Sequence, residues 1–114
     1  MPVYRGNVGL LAAGASFKPD LKPNDRFGPR GGHVRLRSKN KTTANVALVE
    51  TLFVGNEMIE NRGTVMDDAN GTVDNFTPAI EAVGGPGDVV DVAFFNVGTA
   101  AVALANWVVE IENA

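Results

Sequence analysis

The chain has 114 residues, 45% hydrophobic and 20% charged, which suits one domain with a modest core. It has no cysteine, so disulfides and thiolate metal sites are excluded. The net charge of −3 conceals an asymmetry: residues 1–41 hold nine cations against two carboxylates (+7), and residues 42–114 hold Arg62 against eleven carboxylates (−10). Such opposed halves point to docking between unlike surfaces, within one chain, between copies, or with a partner.

The N-terminus carries no basic-then-apolar leader with a cleavage site, and residues 10–15 are too short and too rich in Gly and Ala for a membrane span. The expectation is a soluble protein made in the cytoplasm and not exported by the usual route. Residues 2–17, with Val3, Val8, Leu10 and Leu11 among glycines and alanines, read as one strand bent at Gly9 or Gly14. The alternative is a short helix over 10–15, which glycines flank and nothing caps. Residues 18–32 read KPDLKPNDRFGPRGG, whose prolines and glycines rule out a regular central strand or helix. The two Lys-Pro steps favour extended backbone. An arm of this composition is ordered only if its own domain or a neighbouring subunit holds it.

Residues 33–38 alternate strictly, Val34 and Leu36 facing one way and His33, Arg35 and Arg37 the other, which predicts a half-buried strand with a basic face. Residues 39–41 then turn the chain. A second long strand spans 45–54, with Val46, Leu48, Leu52 and Val54 on one face and Ala47, Val49 and Phe53 on the other. Residues 58–66 predict a strand pair or one bulged strand, broken near 61–63. Asn70-Gly71 carries the signature of a type I′ turn. Residues 73–83 have two readings: a helical turn opened by Thr77-Pro78, or an edge strand carrying its proline. Residues 84–87, GGPG, form a loop. The last stretch, 88–112, reads as a central β-hairpin whose connection holds Gly98 and Thr99. One of its faces should meet a second sheet; the other is only partly polar and is expected to meet another subunit.

Six to eight mostly antiparallel strands with an irregular N-terminal arm define an all-β chain, a β-sandwich or jelly roll, with a small barrel as the alternative. The division expected is a strand and extended arm over 1–32 and a β-sandwich over 33–114.

Catalytic inventory is thin. With His33 alone and only Ser16 and Ser38 as serines, no nucleophile–base set with an elbow motif can be assembled, so no enzyme is expected. Asp67, Asp68, Asn70, Gly71 and Asp74 imitate a calcium loop, but the template would put Met66 at its first position and Thr77 at its twelfth, both non-ligands. A solvated turn is preferred, and no metal or cofactor is expected. Pairs such as Asp88 with Asp91, or Glu110 with Glu112, read as solvent-facing strand residues rather than a glycosidase pair. The basic run 26–41 has only Phe27 interleaved, which gives no stacking platform for nucleic acid. The three Asn-x-Thr matches, at Asn40, Asn70 and Asn75, read as chance products of turn sequences.

The composition, the arm at 18–32 and the closing strands around Asn96-Val97-Gly98-Thr99 resemble the decoration (cement) proteins of tailed-phage heads. That resemblance implies a non-enzymatic virion structural protein on the capsid surface, made in the host cytoplasm. It also implies a homo-oligomer, a trimer first of all, that stabilises the head by docking between subunits of the major capsid protein or another virion protein. No membrane and no nucleic acid is expected as partner. The docking surface expected is Lys18, Lys22, Arg26, Phe27, Arg30, Arg35 and Arg37, paired to carboxylates on a partner or a second copy. The plain alternative is an intrachain network or a solvated face. The competing functions are a phage tail or baseplate protein and a carbohydrate- or receptor-binding β-module, which would need exposed aromatics; Trp107, Tyr4 and Phe27 are the candidates.

Overall fold

In a computed structural model, residues 3–22, 25–74 and 77–113 are described. Pro23 and Asn24 of the arm, and Asn75 and Phe76 of the 73–83 stretch with its Asn-x-Thr match, lie outside the described residues. The described residues form nine strands and no helix: β1 (Val3–Leu11), β2 (Ser16–Phe17), β3 (Gly32–Lys41), β4 (Leu48–Val54), β5 (Glu57–Thr64), β6 (Met66–Asp68), β7 (Ile80–Gly84), β8 (Val90–Asn96) and β9 (Val102–Asn113). The count exceeds the expected six to eight because two stretches divide. Residues 2–17 are cut by a turn in which the Ala15 amide donates to Ala12 O and Gly14 adopts φ +78°. The 58–66 stretch ends at Thr64, and Met66 begins a short strand in the other sheet.

One sheet runs β1-β9-β3, and both β7 and β6 lie on the far side of β3, β7 along its first half and β6 at its last three residues. The other runs β2-β8-β4-β5. Every pairing is antiparallel except β3 with β6. Alternation dictates the layers. Val34 and Leu36 of β3 and Val109 and Ile111 of β9 point inward from the first sheet; Leu48, Leu52, Val90, Val92 and Phe94 of β4 and β8 point inward from the second, and all join one core. Burial of this shared apolar layer holds the sheets face to face.

The closing hairpin is corrected. β8 and β9 do not pair; β8 lies between β2 and β4, and β9 between β1 and β3, in different sheets. Both strands have one strongly apolar face, and both faces reach the core only if the 97–101 connection carries the chain from one sheet to the other. Asn96, fully buried, fixes that crossing: its amide donates to Leu11 O (3.2 Å) and Ala100 O (2.8 Å), and its oxygen accepts from the Gly98 amide (3.0 Å).

Two smaller expectations also change, and one open choice is decided. β3 continues through residues 39–41, and the chain turns instead around Asn45, at φ +64°. Asn70-Gly71 is not a type I′ turn, since only Gly71 has positive φ; the Asp68 carboxylate accepts both the Asn70 and Thr72 amides and shapes the loop. Of the two readings of 73–83, the edge strand is realised as β7, with Pro78 just ahead of it.

The arm is held by its own domain. Phe17 pairs with Phe94, the chain leaves the sheet, and it rejoins β8 where Arg26 bridges to Val89. There the Phe27 amide donates to Asp88 O (3.0 Å) and the Val90 amide to Asp25 O (2.7 Å). Leu21 and Phe27 are each 3% exposed and join the core. Phe27 fits because Gly32 and Gly84 lack side chains: a Cβ at either would strike its ring. The arm is thus an interrupted continuation of edge strand β2.

Candidate functional site

The seven residues expected to dock do not form one free surface. Phe27 is in the core. Lys18 pairs with Asp91 at 2.9 Å. Arg35 and Arg37 lie on the outward face of β3, where cross-strand register sets Arg35 beside Glu81 and Glu110. Arg35 pairs with Glu81 (2.8 Å) and lies 3.6 Å from Glu112; Arg37 pairs with Glu110 and donates to Thr77 O (3.1 Å). The charge halves of the sequence therefore meet partly within the chain. Lys22, Arg26 and Arg30 remain exposed and form no ion pair among the described residues. Arg26 reaches Gly87 O (3.4 Å), and Arg30 stands at the tip of the turn closed by the Gly28–Gly31 bridge.

His33 sits on the outward face of β3, 3.7 Å from Glu81, whereas Ser38 points into the sandwich from the same strand, so the two cannot meet. Ser16 is exposed on β2. Asp68 is held below the usual carboxylate range by the Thr72 and Asn70 amides, and among the described residues no three His, Asp or Glu side chains gather as a metal-ligand group. Trp107 and Phe27 are buried, and Tyr4 is half-buried with its hydroxyl inside. None of the three offers a ring on an open face. Phe53 and Phe95 instead lie half-exposed on the outward face of the second sheet, and the Arg62 guanidinium lies 5.2 Å from the Phe95 ring centre.

Among the described residues the buried charged side chain is Glu50, which is not one of the residues expected to carry function. Leu48, Leu52 and Val54 make the inward face of β4, and Glu50 interrupts that face at 6% exposure. The Ser38 hydroxyl, reaching across from β3, donates to Glu50 Oε2 at 2.5 Å. Glu60 lies alongside from β5. It pairs with Leu52, and Gly63, which pairs with Glu50, leaves it room; a Cβ on Gly63 would strike the Glu60 carboxylate. Burial pushes the Glu50 carboxyl up to about 7; the Ser38 hydrogen bond opposes that rise and the Glu60 charge adds to it.

These groups line a cleft of about 200 Å³, opening where the β5 edge of one sheet faces the β6–β7 edge of the other. Met66, Pro78, Ala79 and Ile80 supply its apolar wall, and Gly63 and Thr64 complete it. No lysine, arginine or histidine is among its lining residues. Chemically, the cleft offers a carboxyl that exchanges a proton near neutral pH and a second carboxylate beside it, which suits it to hold a cationic group. The signal for it in the sequence is the carboxylate breaking the apolar rhythm of residues 48–54.

The chain matches no protein-family model, no curated protein and no solved structure.

Proposed function

We propose that this chain is a non-enzymatic virion structural protein, a capsid decoration protein that stabilises a phage head by docking between capsid subunits as a homo-oligomer. The observation that carries the proposal is the strand order. The order β1-β9-β3, with β7 and β6 beyond β3, in one sheet and β2-β8-β4-β5 in the other supports a jelly-roll reading: the first and last strands are adjacent, and every connection except β4–β5 and β6–β7 crosses between sheets. Jelly rolls build capsid shells and lectins. Two further features support the role. The arm packs against its own sheet, so the docking unit is rigid and loses little entropy on binding. Lys22, Arg26 and Arg30 present cationic groups with no intrachain ion pair among the described residues. A tail or baseplate protein shares these features and differs in the symmetry of its assembly.

The test is co-sedimentation of the purified chain with tailed-phage heads stripped of decoration. Saturable binding that falls as salt rises supports capsid docking. Binding to tails but not heads shifts the role to the tail, and no binding to either overturns it.

The second reading is a carbohydrate-binding module, favoured by Phe53 and Phe95 on the open sheet face. Glycan-array binding lost in Phe95→Ala would establish it.

A further inference from the structure

Lys18, Arg35 and Arg37 are paired inside the fold, whereas Lys22, Arg26 and Arg30 are exposed without an ion pair among the described residues; of these, Arg26 reaches Gly87 O and Arg30 stands at the tip of a tight turn, while the acidic cleft has no cation among its lining residues. We propose that the cleft between Glu50 and Glu60 receives the Arg30 side chain of a second copy of this chain, joining copies head to tail.

The fit is chemical and geometric. Arg30 stands exposed beside Pro29 on the Gly28–Gly31 turn, whose Gly31 amide donates to Gly28 O at 3.0 Å, so it is presented on a short, hydrogen-bonded knob. At about 200 Å³ the cleft lies below the roughly 300–1,000 Å³ of pockets for drug-sized ligands and matches a single long side chain. Met66, Pro78 and Ile80 face the methylene stem of such a residue, and the carboxylates face its head. Glu50 gives one oxygen to Ser38, and its other oxygen takes no hydrogen bond among the described residues. A guanidinium forks across two acceptors, which an ammonium does not.

Arg30 cannot fill the cleft of its own chain. β3 leads from Gly32, next to the Arg30 turn, to Ser38 in the cleft, and this advance is about 20 Å at the usual strand rise. An arginine side chain reaches only about 7 Å. The contact is therefore between copies, and because knob and cleft are different surfaces, it is heterologous. Such contacts close into rings, a trimer among them, or run on as filaments. The inference rests on the assembly part of the function proposed above and not on the capsid, so it is tested on the purified chain alone.

The experiment is sedimentation velocity of the full chain at about 0.1 mM, where a contact with a micromolar Kd is populated. The wild type is expected to form a closed oligomer that loosens with salt. Arg30→Ala, which alters only an exposed turn, and Glu60→Gln are each expected to weaken assembly by roughly several-hundred-fold, which leaves each variant monomeric at this concentration. An equimolar mixture of the two variants retains one intact knob and one intact cleft, and is expected to yield a heterodimer from two monomeric species. A monomeric wild type overturns the proposal. So does an oligomer that both variants preserve, or a mixture that stays monomeric. Capsid binding by a wild type that remains monomeric would separate failure of this inference from failure of the decoration role.

Discussion

Glu50 shows how one residue is reshaped by its surroundings. Its carboxyl lies between two sheets, so the fold favours the protonated form over the ionised one, and its pKa rises from 4.5 to about 7. A carboxyl whose pKa is raised on folding gives its full stabilisation below the unfolded value and loses it as pH climbs through the folded value. The wild type is therefore expected to lose stability between about pH 4.5 and 7, by on the order of 3 kcal/mol. Glu50→Gln keeps a partner for Ser38 and does not titrate. Urea titrations from pH 4 to 8 should show a slope in the wild type that is flattened in the variant; equal slopes would remove Glu50 as its source. Phe27 gives a second prediction at this scale. Buried to 3% beneath Gly32 and Gly84, it should cost about 3–5 kcal/mol when cut to alanine. The same change should free the arm, read as new tryptic cleavage after Arg26. A Phe27→Ala chain that keeps wild-type stability would show that the ring does not hold the arm.

At the level of elements, the crossing between β8 and β9 decides the topology. Asn96 makes three side-chain hydrogen bonds there, tying the end of β8 to Leu11 and to the 97–101 connection. Asn96→Ala leaves the Leu11 and Ala100 carbonyls and the Gly98 amide without that partner. A loss of about 2–4 kcal/mol is expected, measured by denaturant unfolding, with Asn96→Asp no better because it cannot donate to two carbonyls. The sequence shows the two strands and their short connection but not that they part. A hairpin and a crossing have the same alternation and the same loop length; what separates them is which neighbours each strand finds. β9 finds β1 and β3, and β8 finds β2 and β4. The three-residue β6 was illegible for a related reason. Its pairing with Lys39–Lys41 is parallel and made across the sandwich edge, and three residues carry too little pattern to announce it.

For the whole molecule, side chains of both sheets and of the arm share one core, so the chain should unfold as one unit. Fluorescence of Trp107, in the first sheet, and proteolysis at the arm, on the second, should report the same midpoint; separate midpoints would mean that the sheets melt independently. By itself the sequence determined the all-β class, the alternation and basic outward face of β3, the apolar runs of β4, β8 and β9, and the loops after Gly84 and at 97–101. Those features rest on local rules of periodicity and on the φ limits of glycine and proline, which act within a few residues. Only the tertiary structure decided that Arg35 and Arg37 meet Glu81 and Glu110, that Phe27 is core, and that Glu50 and Glu60 share a cleft. Each of these joins residues far apart in the chain. Their contacts follow from strand order and register, which are set by the collective burial of both sheets and not by any local stretch.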